Sequence, residues 1–161
     1  MLRNPFWPIR ECQDKPMFTD AVLALHAGST WFMTGLIWFV QIVHYPLFSW
    51  VGEGAFSDYE VEHTRRTAHV VGPAMLAELS SSLALLAFYP ARCPAWAPWT
   101  GVGLLAIIWL TTFFISVPCH SRLARRFDPD ALRWLVRSNW IRTAAWSLRA
   151  ALVFWISTAV D

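Results

Sequence analysis

The sequence predicts an all-α integral membrane protein, a four-helix up-down-up-down bundle, and three observations carry that prediction. Four apolar runs, 21–43, 70–89, 99–117 and 143–160, each approach the ~20 residues that cross a bilayer. The chain is 56% hydrophobic and only 15% charged, against about 25% charged residues in soluble domains, and its mean hydropathy is +0.38. The breaks between runs are short and carry Gly or Pro, so successive helices should reverse direction. Eleven Trp residues add to this, because Trp favours membrane interfaces. A net charge of +2 implies no field for nucleic acid.

Residues 1–19 read as a polar N-terminal tail and 20–161 as a single transmembrane domain. The tail has no apolar run to serve as the core of a cleavable signal peptide. Asp20 or Thr19 suits the cap of the first helix, and Pro46 sits just past its apolar end, where a helix often stops. Gly52 and Gly54 mark the next turn. The second helix should begin near residues 56–58, and Pro73 is placed to kink it. Pro90, Pro94 and Pro98 punctuate the following loop. The third helix overruns its apolar part toward Arg126. Asp128-Pro129-Asp130 reads as the turn and N-cap of the fourth, which opens with an amphipathic stretch, 131–140.

We designate the face that would hold both termini face A, and the other face B. Face B receives Arg65, Arg66, Arg122, Arg125, Arg126, Arg133, Arg137 and Arg142, while face A receives Arg3, Arg10, Lys15 and Arg92. The positive-inside rule then puts face B in the cytoplasm and both termini outside. Cys12 and Cys93 share face A, where a disulfide is chemically allowed, although two unpaired thiols are the simpler reading; Cys119 on face B should stay reduced. Arg122, Arg125 and Arg126 read most simply as contacts for lipid headgroups.

The central stretch is 59–79, YEVEHTRRTAHVVGPAMLAEL. Its first half is charged and its second half apolar, yet Glu78 lies deep inside, and an ionisable residue at such depth points to function by default. Helical spacing groups Glu60, His63, Thr67 and Glu78 on one stripe, with His69 off it and facing Arg65. Thr34, Gln41 and His44 form a stripe on the first helix, Thr112, Ser116 and His120 on the third, and Asn139, Arg142, Trp146 and Arg149 on the fourth. Polar stripes on four spans should turn inward, because lipid leaves such groups unsatisfied. Glu78 lies about 14 Å beyond His69, and Arg149 about 10 Å beyond Arg142, at 1.5 Å rise per residue. Their matched depth allows a buried ion pair, whose simplest role is a structural lock.

The histidine layer admits two readings. One is a metal site of His44, His63 and His120 with Glu60, suited to Fe, Cu or Zn, with haem held between two histidines as the second choice. The other is imidazoles hydrogen-bonded to backbone, to Asn139 or to Arg. Gln41, Thr67, Ser116 and Trp146 would line a pocket beside this layer. The partners expected are membrane lipid and a small hydrophobic molecule, with no nucleic acid.

The order of short motifs resembles the small four-helix membrane proteins of the anthrone oxygenase-like domain-of-unknown-function family. The motifs are VQ at Val40-Gln41, HTRR at His63 to Arg66, VVGPAM at Val70 to Met75, VP at Val117-Pro118 and NWIRT at Asn139 to Thr143. In that family the position two after the VP is usually Asn; here it is His120, and His44 in QIVHYPLF adds a further imidazole. Both departures suggest a distinct subgroup. The resemblance implies an oxygenase acting on a hydrophobic, aromatic substrate within the membrane, with His63, Arg66, Asn139 and Arg142 as its site residues. His63 or His44 would act as general base, and Arg142 with Asn139 would stabilise the enolate or phenolate. Two other classes stay open: a small-molecule or proton-coupled carrier, and a non-catalytic assembly factor.

Overall fold

The computed structural model describes residues 14–87 and 94–160, with side chains described over 19–87 and 94–158. Six α-segments form four helical rods. The first rod is α1, Asp14–Phe39, a π-helical turn at Val40–His44, and α2, Tyr45–Phe48. The second is α3, Glu53–Ala87. The third is α4, Trp96–Thr111, a second π-helical turn at Thr112–Ser116, and α5, Val117–Leu123. The fourth is α6, Pro129–Val160.

Both π turns have the same local cause. A proline inside a helix lacks an N–H, and its ring clashes with the carbonyl four residues back. Pro46 and Pro118 each stand two residues past a π turn, and the residue just before each proline closes the wider turn. Tyr45 N–H donates to the carbonyl of Val40, and Val117 N–H to that of Thr112. Pro46 therefore does not end the first rod, as expected from the sequence; it widens the helix, which runs on to Phe48. Turns of this kind concentrate at functional sites.

Other boundaries differ in similar ways. α1 begins at Asp14, so Thr19 and Asp20 lie inside it and not at its start, and the polar tail is helical over 14–19. α3 begins at Glu53 and runs unbroken through Pro73. The N-cap of α6 is as expected: Asp128 Oδ1 accepts from the N–H of Asp130 (3.0 Å) and of Ala131 (3.1 Å), while Pro129 takes the first helical position, where no N–H is needed. Cys12 and Cys93 fall outside the described residues; Cys119 is a buried free thiol.

Cross-rod contacts pair His26 with Ser81, Thr30 with Glu78 and His44 with His63 between the first and second rods. Thr34 meets Trp146, and Gln41 meets Asn139, between the first and fourth. The core has three parts. Tyr45, Phe48, Phe56, Cys119, Leu123 and Leu135 fill one end; Met33, Ile37, Met75, Ile108 and Trp146 fill the middle; Ala97 and Ile156 close the other end.

The polar pattern is reversed relative to a soluble bundle. Glu60, Glu78, Asn139, Arg142, Thr143 and Arg149 are buried, while Phe32, Phe39, Leu76, Leu83, Phe114, Leu148 and Phe154 are exposed. Thr19–Phe48, Glu53–Ala87 and Trp96–Leu123 are helices long and apolar enough to cross a membrane. Among the described residues these are the three such helices; α6 buries Asn139, Arg142 and Arg149 and exposes Ile141, Leu148 and Phe154.

Candidate functional site

The site lies where the two π turns, the charged half of α3 and the first half of α6 meet. There a cavity of about 90 Å³ is lined by the apolar residues Met33, Leu36, Ile37, Val40 and Val71 together with Tyr45, His63, Thr67, His120, Arg142 and Trp146. A mostly apolar lining with a few polar groups is the usual form of a small-molecule site.

His120 is the best-defined group in it. Its Nδ1 meets Oε1 of Glu60, a carboxylate with no solvent exposure, and its Nε2 lies 3.4 Å from the Tyr45 hydroxyl. A carboxylate can only accept, so Nδ1 carries the proton and Nε2 presents its lone pair to Tyr45 and the cavity. Tyr45 also lies 3.4 Å from Nη2 of Arg142, and that guanidinium donates to Oδ1 of Asn139. Asn139 Nδ2 in turn donates to Oε1 of Gln41 (2.8 Å), and Gln41 Nε2 to the carbonyl of Val136 (3.4 Å). One polar chain therefore links Glu60, His120, Tyr45, Arg142, Asn139 and Gln41 across all four rods. Glu60 Oε2 and Arg142 Nε are buried with no hydrogen-bond partner among the described residues.

His63 stands beside this chain. Its Nδ1 lies 3.1 Å from His44 Nε2 and 3.2 Å from Thr67 Oγ1, its ring stacks on Tyr59, and its centroid is 5.7 Å from that of His120. His44 backs His63 from outside the cavity.

Among the described residues, no three His, Cys, Asp or Glu side chains converge as they would to hold a metal ion. The expected set of His44, His63, His120 and Glu60 divides instead into two contacts, His44 on His63 and Glu60 on His120. His44 Nε2 lies on His63 Nδ1 and Glu60 Oε1 on His120 Nδ1, so the four side chains are not gathered around one point.

The other expectations sort cleanly. His63, Arg142, Thr67 and Trp146 line the cavity as expected. Asn139 and Gln41 are buried behind it and position Arg142. Ser116 is buried in the second π turn, where its hydroxyl lies 3.5 Å from the carbonyl of Thr111, away from the cavity lining. Arg66 is corrected: its side chain is 74% exposed and donates to Glu62 (2.5 Å), which also holds Arg65. An i, i+4 pair on the outer face of α3 keeps it away from the site. His69 Nδ1 donates to the carbonyl of Arg65 (2.7 Å), off the inner stripe as expected. Tyr45 went unnoticed in the sequence; the available signal was its i+4 spacing from Gln41.

Deeper in the bundle, Glu78 and Arg149 form the expected buried pair, with Nε 2.8 Å from Oε1. Thr30 donates to Glu78 Oε1 (2.9 Å), and Trp146 Nε1 to Oε2 (3.0 Å). Arg149 also donates to Ser82 (3.0 Å) and to the carbonyl of Gly101. Every rod contributes, and the carboxylate has both oxygens occupied, which is the arrangement of a structural lock.

Comparison with family models, with curated proteins and with solved structures returns no match, so the site rests on its own geometry.

Proposed function

We propose that the chain is an integral membrane oxidoreductase of oxygenase type, acting on a hydrophobic aromatic substrate that carries an acidified C–H group. The observation that carries this reading is that His120, whose Nδ1 rests on Glu60, and Arg142 line one cavity together with Met33, Leu36, Ile37, Val40 and Val71. His120, with its tautomer fixed by Glu60, takes a proton from a methylene activated by a neighbouring carbonyl or ring. Arg142 and the Tyr45 hydroxyl stabilise the enolate left behind, with Asn139 holding Arg142 in position.

Dioxygen then adds to the carbanion, and His120 returns its proton to give a hydroperoxide. Loss of the second C–H proton expels hydroxide as the O–O bond breaks, leaving a ketone and water. In sum, one methylene group and one dioxygen molecule give one ketone carbonyl and one water, with carbon oxidised by four electrons and both oxygen atoms reduced. A cavity of about 90 Å³ is smaller than the ~150 Å³ that holds benzene. It therefore takes only the reacting edge of a ring system, and the remaining rings lie along the seam of α1 and α3, where Leu36, Val40, Thr67 and Val71 are half-buried.

The same reading takes α6 as a fourth span of an up-down-up-down bundle, with face B cytoplasmic and both termini outside. What supports it is the outer surface of α6: Trp140, Ile141, Leu148, Phe154 and Trp155 are exposed, while Asn139, Arg142 and Arg149 are buried. The residue pairings between the first and second rods, and between the first and fourth, run in opposite numerical order, as antiparallel neighbours require.

Oxygen uptake by the purified protein in lipid nanodiscs, with anthrone as the probe substrate, tests the function. His120→Ala should lower turnover by about 10²–10⁴-fold, the usual contribution of a positioned base. Turnover unchanged in both His120→Ala and Arg142→Gln overturns the mechanism.

A further inference from the structure

The Leu123 end of the third rod carries a second site, which goes beyond the reading above and rests only on its membrane placement. An open cleft of about 350 Å³ is lined by Arg122, Arg125, Arg126 and Asp128. Its charge is unbalanced. Elsewhere on the surface, Arg65 and Arg66 are committed to Glu62, and Arg133 to Asp130. Among the described residues, Arg122, Arg125 and Arg126 form no ion pair. The single carboxylate in the cleft, Asp128, has Oδ1 taken by the first N–H groups of α6. Arg125 Nε donates to the carbonyl of Ser121 (3.1 Å), which holds that side chain along the helix.

The surroundings suit a lipid better than a free anion. On the same rod, before the cleft residues in the chain, Phe114 is 75% exposed, with Phe113 and Val117 exposed beside it. Exposed Trp50, in the turn between the first two rods, and Trp134, near the start of α6, suit a membrane interface.

We propose that this cleft binds an anionic phospholipid of the cytoplasmic leaflet. Its phosphate is held by the guanidiniums of Arg122, Arg125 and Arg126, whose paired N–H groups match phosphate oxygens, and an acyl chain lies on Phe114 and Val117.

The test counts lipids retained by the purified full-length chain in neutral detergent. Native mass spectrometry follows titration with phosphatidylglycerol, with phosphatidylcholine, and with phosphatidylglycerol in the presence of millimolar inorganic phosphate. Phosphatidylglycerol should be retained in preference to phosphatidylcholine, with little competition from phosphate. The triple variant Arg122→Gln, Arg125→Gln, Arg126→Gln should bind it roughly 100-fold more weakly, taking about a fivefold loss for each Arg at an anionic surface. Arg65→Gln with Arg66→Gln removes charges that are exposed but already paired, and should change retention by less than about twofold. If the triple variant does not fold, Arg125→Gln alone should still weaken retention about fivefold. Equal retention of the two lipids, full displacement by inorganic phosphate, or a loss confined to the Arg65 and Arg66 variant overturns the proposal. These readouts do not involve turnover, so their failure leaves the catalytic reading intact.

Discussion

Glu78→Ala removes the acceptor on which four side chains depend, directly or at one remove. Arg149 is 1% exposed and Glu78 not at all, so the substitution leaves a guanidinium buried without its counter-charge. Breaking a buried pair from one side typically costs about 3–5 kcal/mol. Thr30 and Trp146 also lose their acceptor, and interhelical hydrogen bonds of this kind add about 0.6 kcal/mol each in membrane bundles. Ser82 and the Gly101 carbonyl still hold two N–H groups of Arg149, which keeps the total near the lower end of the range. At about 2–4 °C per kcal/mol for a chain of this size, Glu78→Ala should lower the midpoint of thermal unfolding in detergent by roughly 10 °C. Near-ultraviolet circular dichroism of the Trp residues follows it. The double variant Glu78→Leu with Arg149→Met removes both charges and should recover most of the loss, because an apolar pair of similar volume replaces a buried ion pair at little cost. A Glu78→Ala midpoint within about 2 °C of the parent, or a double variant worse than the single one, refutes the lock.

Three further outcomes follow from the site and its supports. Tyr45→Phe keeps the ring that packs on Phe48 but removes the hydroxyl between His120 and Arg142; turnover of anthrone should fall about 10²-fold, with unfolding displaced by no more than about 1 kcal/mol. Pro46→Ala restores the missing N–H and removes the clash that widens the helix, so the π turn should relax, Tyr45 should rotate from His120, and turnover should fall while stability rises or holds; a parent-like rate would separate the turn from the site. Asp128 is held below the usual carboxylate range, chiefly by the N–H of Ala131 and also by that of Asp130. Its capping contribution should thus be fully present above the unfolded value of about 3.9 and be lost as pH falls through the lower folded value. The difference in unfolding midpoint between the parent and Asp128→Ala should be constant from pH 7 to about pH 4 and shrink below it, whereas Asp128→Asn should show little such dependence.

Much of the architecture was legible in the residues, because two regularities survive without knowledge of the fold. Apolar run length against membrane thickness gave the rods, and the constant rise per residue placed Glu78 and Arg149 at one depth, where they meet. The inward stripe correctly gathered His63, Thr67, His120, Asn139, Arg142 and Trp146 near one end. Stripe arithmetic assumes a fixed rotation per residue, however, and each π turn breaks that assumption by adding a residue to one turn. Tyr45 accordingly sits in the polar chain, where spacing had favoured His44, and Ser116 misses the cavity. Arg66 failed for a different reason: membership of a motif says nothing about which face of a helix a residue occupies, and Glu62 one turn earlier holds it outside.

By itself, then, the sequence determined the number of rods and the layer in which polar groups gather, because apolar run length and hydropathy are summed along the chain. Only the tertiary structure decided which of those groups touch. That His120 rests on Glu60 and His63 on His44, and that Arg142 reaches Tyr45, depends on rotations of whole helices about their axes. Those rotations are set by packing between rods and by two prolines, and no local pattern encodes them.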